Sequence, residues 1–426
     1  MVFAALRARV FIAIAIAIAL VAVLVPGTAG SVVAATAPSG PAVLTFGDAP
    51  FYGTTASIRL NRPVVGMAAT PDGGGYWLVA SDGGIFTFGD APFYGCGVGS
   101  LGSGRVAAAV IGSPTGRGYD ILATSGTVRI GFAGDVNGVG RVATLMSEGG
   151  DPLAAMRPIL GSNDVNLVNL ETSVGSAGQA QNKQYTFQSP PELLYRLRAA
   201  GVSVVNLANN HSLDFGVAGL LQTISDARAA GLLVVGAGAT RAEAYSPAVV
   251  DTPAGRVAFL GLSQVVPAGW AATATQPGVA SAFDLPAAIA AVREARSLAD
   301  QVVVMVHAGV ELNQCPTADQ YALTKALVGA GANVVVGSHP HVLQGLERIG
   351  SALVDYSLGD FVWYAGSPQI DVTGLLSVEL GSAGADTYEF TPAVIDATGS
   401  PQPLTGAAAS GALANLASLT PGSGRC

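Results

Sequence analysis

Charge, histidine and cysteine are all scarce in this chain. Of its 426 residues only 11% are charged, four are histidine and three are cysteine. Twenty basic against 28 acidic residues give a formal charge of -8, which leaves no basic face to meet phosphate and weighs against nucleic acid as a partner. The acidity is mild and forms no long run, so it serves solubility. Disorder is excluded too, because it needs low hydrophobicity and high net charge, whereas half of these residues are apolar. That profile, with 56 glycines and 24 prolines, suits a globular chain with a large core, long enough for two or three domains. The spacing of Cys96, Cys315 and Cys426 excludes a cysteine-based zinc finger. In an exported protein an odd count leaves at least one cysteine unpaired. Cys315 and Cys426 could pair, or all three could be free.

The apolar run 10–25 is 16 residues long, short of the ~20 that span a bilayer. Arg7 and Arg9 precede it, small residues follow as far as Ala37, and Val33-Ala34-Ala35 is a fitting cleavage triplet. Residues 1–37 therefore read as a secretory signal, with an uncleaved N-terminal anchor as the alternative. On either reading the body is extracytoplasmic, secreted or at the cell surface, and membrane contact is confined to residues 10–25.

Residues 38–127 read as a β-rich repeat module. Phe46-Gly47-Asp48-Ala49-Pro50-Phe51-Tyr52-Gly53 recurs identically 42 residues later, from Phe88 to Gly95. Runs 76–80 and 84–88 flank an Asp-Gly turn, a hairpin signature. A period near 40 resembles propeller blades, but only about two units are present, too few to close a propeller. The units also resemble the GYWLVASDGGIFTFGDA repeats of bacterial surface proteins. Packing on the main domain is one role for them, and binding to the cell wall is the other.

From residue 127 the pattern becomes an alternation of strand and helix. Buried strands are expected at 128–133, 165–169, 202–207, 257–262, 301–306, 333–336 and 352–356. Helices are expected from Ser189, as N-cap, to Gly201, and over 215–230, 285–299 and 316–330. Beyond Gly366 come strands at 374–380 and 387–395, a helix near 407–416 and a loose glycine-rich end. The order is α/β, a class that places its sites at the carboxyl ends of strands.

All four histidines stand at such ends: His211 in Asn209-Asn210-His211, His307, and His339 and His341 in Gly337-Ser338-His339-Pro340-His341. Asp135, Asn137, Asn169, Glu171, Asp214, Glu311 and Asp360 occupy or adjoin similar positions. Carboxylate, amide and imidazole together are the ligand set of Mn²⁺, Fe²⁺ or Zn²⁺, and paired ions of this kind serve phosphoryl-transfer sites. Glu311 reads as a solvated loop carboxylate and Asp360 as a structural one. Arg141, Arg157 and Lys183 could meet an anionic chain or lie solvated at the surface.

That ordered set resembles the calcineurin-like metallophosphoesterases, and more closely the CapA family of capsule or poly-γ-glutamate synthesis proteins, over about residues 128–365. Its most telling stretches run from Leu193 to Val250, over Gly337-Ser338-His339-Pro340-His341-Val342-Leu343-Gln344-Gly345, and over Asp355-Tyr356-Ser357-Leu358-Gly359-Asp360-Phe361-Val362-Trp363. The resemblance implies an α/β fold, a four-layer α/β/β/α sandwich over residues 128–400 with a tail at 401–426. It implies Asp135 as first-strand metal ligand, Glu171 as bridging carboxylate and Asn210 as amide ligand of a second metal. His307, His339 and His341 complete the ligands. His211 would act as general acid, oriented by Asp214.

Three departures stand out. Asn137 occupies a place where phosphoesterases usually carry a ligating histidine, and it is either a ligand itself or a turn residue. Ala308 replaces a usual tryptophan, and Asp360 a usual asparagine. The expected function is metabolism of capsule, poly-γ-glutamate or a related surface polymer, with a phosphoesterase-type site holding two divalent ions (Mn, Fe or Zn). Its substrate would be phosphorylated or an anionic polymer. The alternative is a non-catalytic accessory protein that binds cell wall or polymer and retains the fold.

Overall fold

In the strands after residue 127 both faces are apolar, and each face feeds a different core. Along Val128–Val136, Ile130 and Phe132 join one core while Ala133 and Val136 join another. Along Gln301–His307, Val303 and Met305 join the core of Ile130, whereas Val302, Val304 and Val306 enter a third. Successive side chains of a strand point to opposite faces, so a strand apolar throughout is buried on both. Three stacked cores require two sheets face to face with helices outside them.

The computed structural model describes residues 43–101, 105–252, 254–381 and 384–426. The expected signal or anchor over 1–37 lies outside them. No helix among the described residues is long and apolar enough to cross a membrane. Residues from Gly40 to Cys426 belong to one compact unit.

The first sheet runs Leu233–Val235, Val204–Asn206, Val165–Leu170, Val128–Val136, Val372–Gly381, Gly384–Ile395, Pro401–Pro403. Its first four strands are parallel and the rest antiparallel. The second runs Ala248–Thr252, Gly255–Ser263, Gln301–His307, Val334–Ser338, Ala352–Asp355, Leu346–Ile349, parallel at its centre and antiparallel at both edges. Helices Glu192–Ala199 and Gly216–Ala229 cover the first sheet through Leu193, Leu197, Leu220 and Ile224. Helices Leu285–Leu298 and Ala318–Ala330 cover the second through Val292, Leu323 and Leu327. This is the expected four-layer α/β/β/α sandwich.

Two local expectations are corrected. Ser189 does not cap a helix: Pro191 is the N-cap residue, and Ser189 lies in the two-residue strand Gln188–Ser189. A residue before proline is held extended, so Ser189 stays outside the first turn. Its hydroxyl instead accepts from the Gly138 amide at 2.8 Å and meets the Thr172 hydroxyl at 3.0 Å, joining two loops of the site. Nor is the glycine-rich end loose: after the expected helix, present as Gly406–Ser418, Cys426 forms a disulfide with Cys315.

Before the sandwich, Val64–Ala69, Gly75–Ala80 and Ile85–Gly89 form an antiparallel sheet, and Arg105–Gly112 pairs with Tyr119–Ser125. Trp77, Val79, Ala107 and Val110 form their core. The same tyrosine lock closes both sequence units. Tyr52 donates to the Gly73 carbonyl at 2.6 Å and Tyr76 to that of Gly53; Tyr94 donates to Gly116 at 2.7 Å and Tyr119 to Gly95. Arg62 pairs with Asp300, tying these strands to the sandwich.

Candidate metal centre

The parallel strands end level with one another, and this alignment gathers the polar residues. In the first sheet Asp135 pairs in register with Asn169, and Asn169 with Asn206. In the second, Ser263, His307 and Ser338 are aligned. Asn169 ties the rows together: its Nδ2 donates to Asp135 Oδ1 at 2.7 Å and lies 3.2 Å from His307 Nδ1, while its Oδ1 accepts from Asn206 at 2.9 Å. Asn169 appears in the sequence only as the polar end of an apolar run, and no role is legible for it there.

Two turns aim the remaining donors. In Asn209-Asn210-His211, Asn209 is structural: its Oδ1 accepts from the His211 amide at 3.0 Å and its Nδ2 donates to the Leu170 carbonyl at 2.9 Å. That leaves Asn210 Oδ1 facing His307 Nε2 at 2.8 Å. After Val334–Ser338 the chain turns with His339 at φ 101° and His341 at φ 59°, a conformation unfavourable for side chains with a Cβ. Such strain persists where surrounding structure holds it, commonly at functional sites.

The result is a buried cluster. Glu171 Oε1 lies 3.5 Å from His307 Nε2 and 3.9 Å from His211 Nε2, and Asp135 Oδ2 lies 3.5 Å from His341 Nδ1. Potential ligand atoms converge within 4.8 Å in three sets: Asp135, Glu171 and His307; Glu171, His339 and His341; Asp135, His341 and Asp360. Glu171, Asp135 and His341 each belong to two of these sets, which therefore overlap. Both Glu171 oxygens, His339 Nδ1 and Asp360 Oδ2 are buried without any hydrogen-bond partner. Buried polar atoms are normally satisfied, so orphaned donors converging on one place fit a cation well.

The electrostatics agree. Burial pushes Glu171 well above the usual carboxylate range, and the Asp135 charge adds to the rise. Burial raises Asp135 against the pull of His341, and raises Asp360 to about 7. Burial lowers His307 far below the ordinary imidazole value and, with the His341 charge, lowers His339 to about 3. Both imidazoles are therefore neutral, as metal ligation requires. For His341 burial is outweighed by Asp360, which lifts it to about 9.

His211 stands at the rim. Its Nδ1 lies 2.6 Å from Asp214 Oδ2, and its ring stacks on Phe187 at 4.3 Å. Trp363 packs 4.8 Å from His341, and Tyr364 4.9 Å from Phe187, so three aromatics wall this side. Sequence reading missed that wall.

Asn137 is differently placed. Its Oδ1 accepts from the Val139 amide at 2.9 Å and its Nδ2 donates to the Glu171 carbonyl at 3.4 Å. Of the three basic candidates only Lys183 is at the site, bonded to Asp214 at 2.7 Å and to the Asn210 carbonyl at 2.6 Å. Arg141 holds the Trp363 carbonyl at 3.0 Å, and Arg157 pairs with Asp151.

Fold and strand-end cluster together define a two-sheet α/β/β/α protein with a candidate divalent-metal centre. Residues 129–365 match the family model described as bacterial capsule synthesis protein PGA_cap, and the chain belongs to that family, the CapA-like proteins of capsule and poly-glutamate biosynthesis. It is 35% identical over 233 residues to the capsule biosynthesis protein CapA of Bacillus anthracis, covering 54% of this chain and 56% of that protein. It is 32% identical over 279 residues to the PGA biosynthesis protein CapA of Bacillus subtilis, covering 64% of this chain and 71% of that protein. The chain thus spans little more than half the length of the anthracis relative. A solved Staphylococcus aureus structure, named as a candidate 5'-nucleotidase in complex with alpha-ketoglutarate, superposes with a TM-score of 0.41 at 14% identity. That match covers 68% of this chain and 58% of the other, a likeness too remote to bear on function.

Proposed function

We propose that this protein is an exported, metal-dependent hydrolase of phosphoesterase type that acts in capsule, poly-γ-glutamate or related surface-polymer metabolism. One observation carries the metal reading: unpartnered, buried oxygens of Glu171 and the unpartnered Nδ1 of His339 converge with the His341 imidazole. Asp135, Glu171, Asn210, His307, His339 and His341 would hold two divalent ions of the Mn, Fe or Zn class. Such ions supply positive charge to a phosphoryl or carboxylate oxygen. The chain's own contribution is orientation and proton movement. Asp214 fixes His211 through Nδ1, and burial keeps the ring neutral near pH 7, so Nε2 is free to exchange a proton with substrate. Phe187, Trp363 and Tyr364 limit water on that side.

The segment over residues 10–25, behind Arg7 and Arg9, supports export, as do the capsule-related names of the relatives. Residues 38–127 would be the module that meets the cell wall, and 128–400 the hydrolase body. The test is elemental analysis of the purified protein, followed by a phosphoester screen of the loaded form. About two equivalents of metal, with turnover lost in His211→Ala, support the reading. A folded protein that retains no ion after reloading ends it. The involvement of Asn137 in backbone bonds favours a second reading, a polymer-binding accessory without turnover. Anionic-polymer binding that persists in His211→Ala, with no hydrolysis by wild type, would establish that one.

A further inference from the structure

We propose that Asp360 is a direct metal ligand, completing with Asp135 and His341 the ion position that Asn137 leaves short of a donor. The proposal rests on the metal reading above and adds one residue to it.

The backbone places Asp360 there. The short strand Asp360–Val362 pairs with the end of Val128–Val136, with Asp360 the register partner of Asp135. The Asp135 amide donates to the Gly359 carbonyl at 2.9 Å. A Cβ at position 134 would collide with that carbonyl oxygen, so Gly134 is what allows the two strand ends to approach. The neighbouring strand Val372–Gly381 pairs with the beginning of Val128–Val136, as far as Phe132, and leaves the end free for Asp360.

The side chain is placed as a ligand. Asp360 is fully buried. Its Oδ1 accepts from His341 Nδ1 at 2.8 Å, while its Oδ2 has no partner. Ligand atoms of Asp135, His341 and Asp360 lie within 4.8 Å of one another, a spacing one cation can close. No lysine or arginine among the described residues forms an ion pair with Asp135, Glu171 or Asp360. The basic groups paired with these three buried carboxylates are imidazoles, His341 at Asp135 and Asp360 and His307 and His211 at Glu171, too little counter-charge for three carboxylates out of water. The oxygen that Asn137 could offer, Oδ1, is already engaged by the Val139 amide two residues on.

Asp360 also alters the chemistry of the centre. Its oxygen makes the site richer in hard donors, which favours Mn²⁺ or Fe²⁺ over Zn²⁺. Two divalent cations against three carboxylates leave one net positive charge, which suits an anionic group on the substrate.

The experiment compares wild type with Asp360→Asn, each reconstituted in Mn²⁺, desalted and analysed for bound metal, with circular dichroism as the folding control. Asparagine can still accept the hydrogen bond from His341 Nδ1, so a residue that merely orients His341 would be largely replaced by it. Two equivalents in wild type and one in Asp360→Asn support direct ligation. Equal metal content and equal affinity overturn it. Wild type without bound metal overturns the metal reading itself. Should Asp360→Asn not fold, the Co²⁺-loaded Asp360→Glu variant decides the matter. Its visible bands should shift if residue 360 contacts the ion, and bands identical to wild type overturn the proposal.

Discussion

Asp214 and His211 meet at 2.6 Å, with Lys183 on the far side of the same carboxylate at 2.7 Å. The Asp214 side chain is wholly buried, that of Lys183 is about one-fifth exposed, and the Phe187 amide gives Asp214 a further bond at 2.7 Å. Removing the cation strands a buried charge that keeps two other partners. Lys183→Met should therefore cost about 2 kcal/mol, within the range for a buried group losing one strong partner. Urea unfolding measures it, and a change within error would mean that Lys183 is dispensable to the dyad.

His211 should matter to turnover and not to metal. It lies at the rim, 3.9 Å from Glu171, and bonds through Nδ1 to Asp214. A positioned acid or base contributes about 10² to 10⁴ in rate. His211→Ala should lose about that much kcat on the best phosphoester from the screen, with bound metal unchanged by elemental analysis. Full kcat with full metal would remove His211 from the proton path.

The middle core decides stability. Phe259 is fully buried between the two sheets, whereas Phe93 is 60% exposed. Phe259→Ala should cost about 3–5 kcal/mol through lost burial and an unfilled cavity. Phe93→Ala should stay within about 0.5 kcal/mol, as surface changes do. Denaturant midpoints at constant m-value test the pair.

The strands legible in the sequence were those buried on both faces. A run such as Val302-Val303-Val304-Met305-Val306 leaves little else for the chain to do. Short edge strands such as Leu346–Ile349 and Asp360–Val362 carry no such pattern, and only pairing defines them. The four histidines were legible for the same reason, as polar residues that end apolar runs. Asp360 was read as structural because a single carboxylate has no periodicity, and its importance lies in register with a strand more than 200 residues earlier. The Asn169 ladder and the aromatic wall of Phe187 and Trp363 were hidden likewise, because cross-strand contacts leave no local signal.

Of the open cysteine possibilities the structure selects one. Cys315 and Cys426 are bonded across a sequence separation of 111, and Cys96 is free and exposed. Closing so long a loop restricts the unfolded chain, and loss of such a bond costs about 2–5 kcal/mol. Cys426→Ser should lower the urea midpoint by that measure, and reductant should lower the wild-type midpoint to match. Cys96→Ser should leave it unchanged. Equal midpoints for wild type and Cys426→Ser would show that the bond adds nothing to the fold.

Asp355 offers a pH signature away from the metal centre. It ends the strand Ala352–Asp355, is buried, and finds no partner for either carboxylate oxygen, with only the Ser357 backbone close enough to oppose the effect of burial. Burial therefore pushes its carboxyl well above the usual carboxylate range. The folded state then holds a proton that the unfolded chain releases near its ordinary value of about 3.9. Between that value and the raised one the native state binds more protons, so the contribution of this group to stability falls as pH rises. Each unit of difference is worth about 1.4 kcal/mol. Asparagine has nearly the same shape and no proton to lose. Asp355→Asn should thus match wild type near pH 4 and surpass it progressively toward pH 7, read as a widening gap in melting temperature. A gap that does not change with pH would mean that Asp355 is ionised in the fold, with a counter-charge near it.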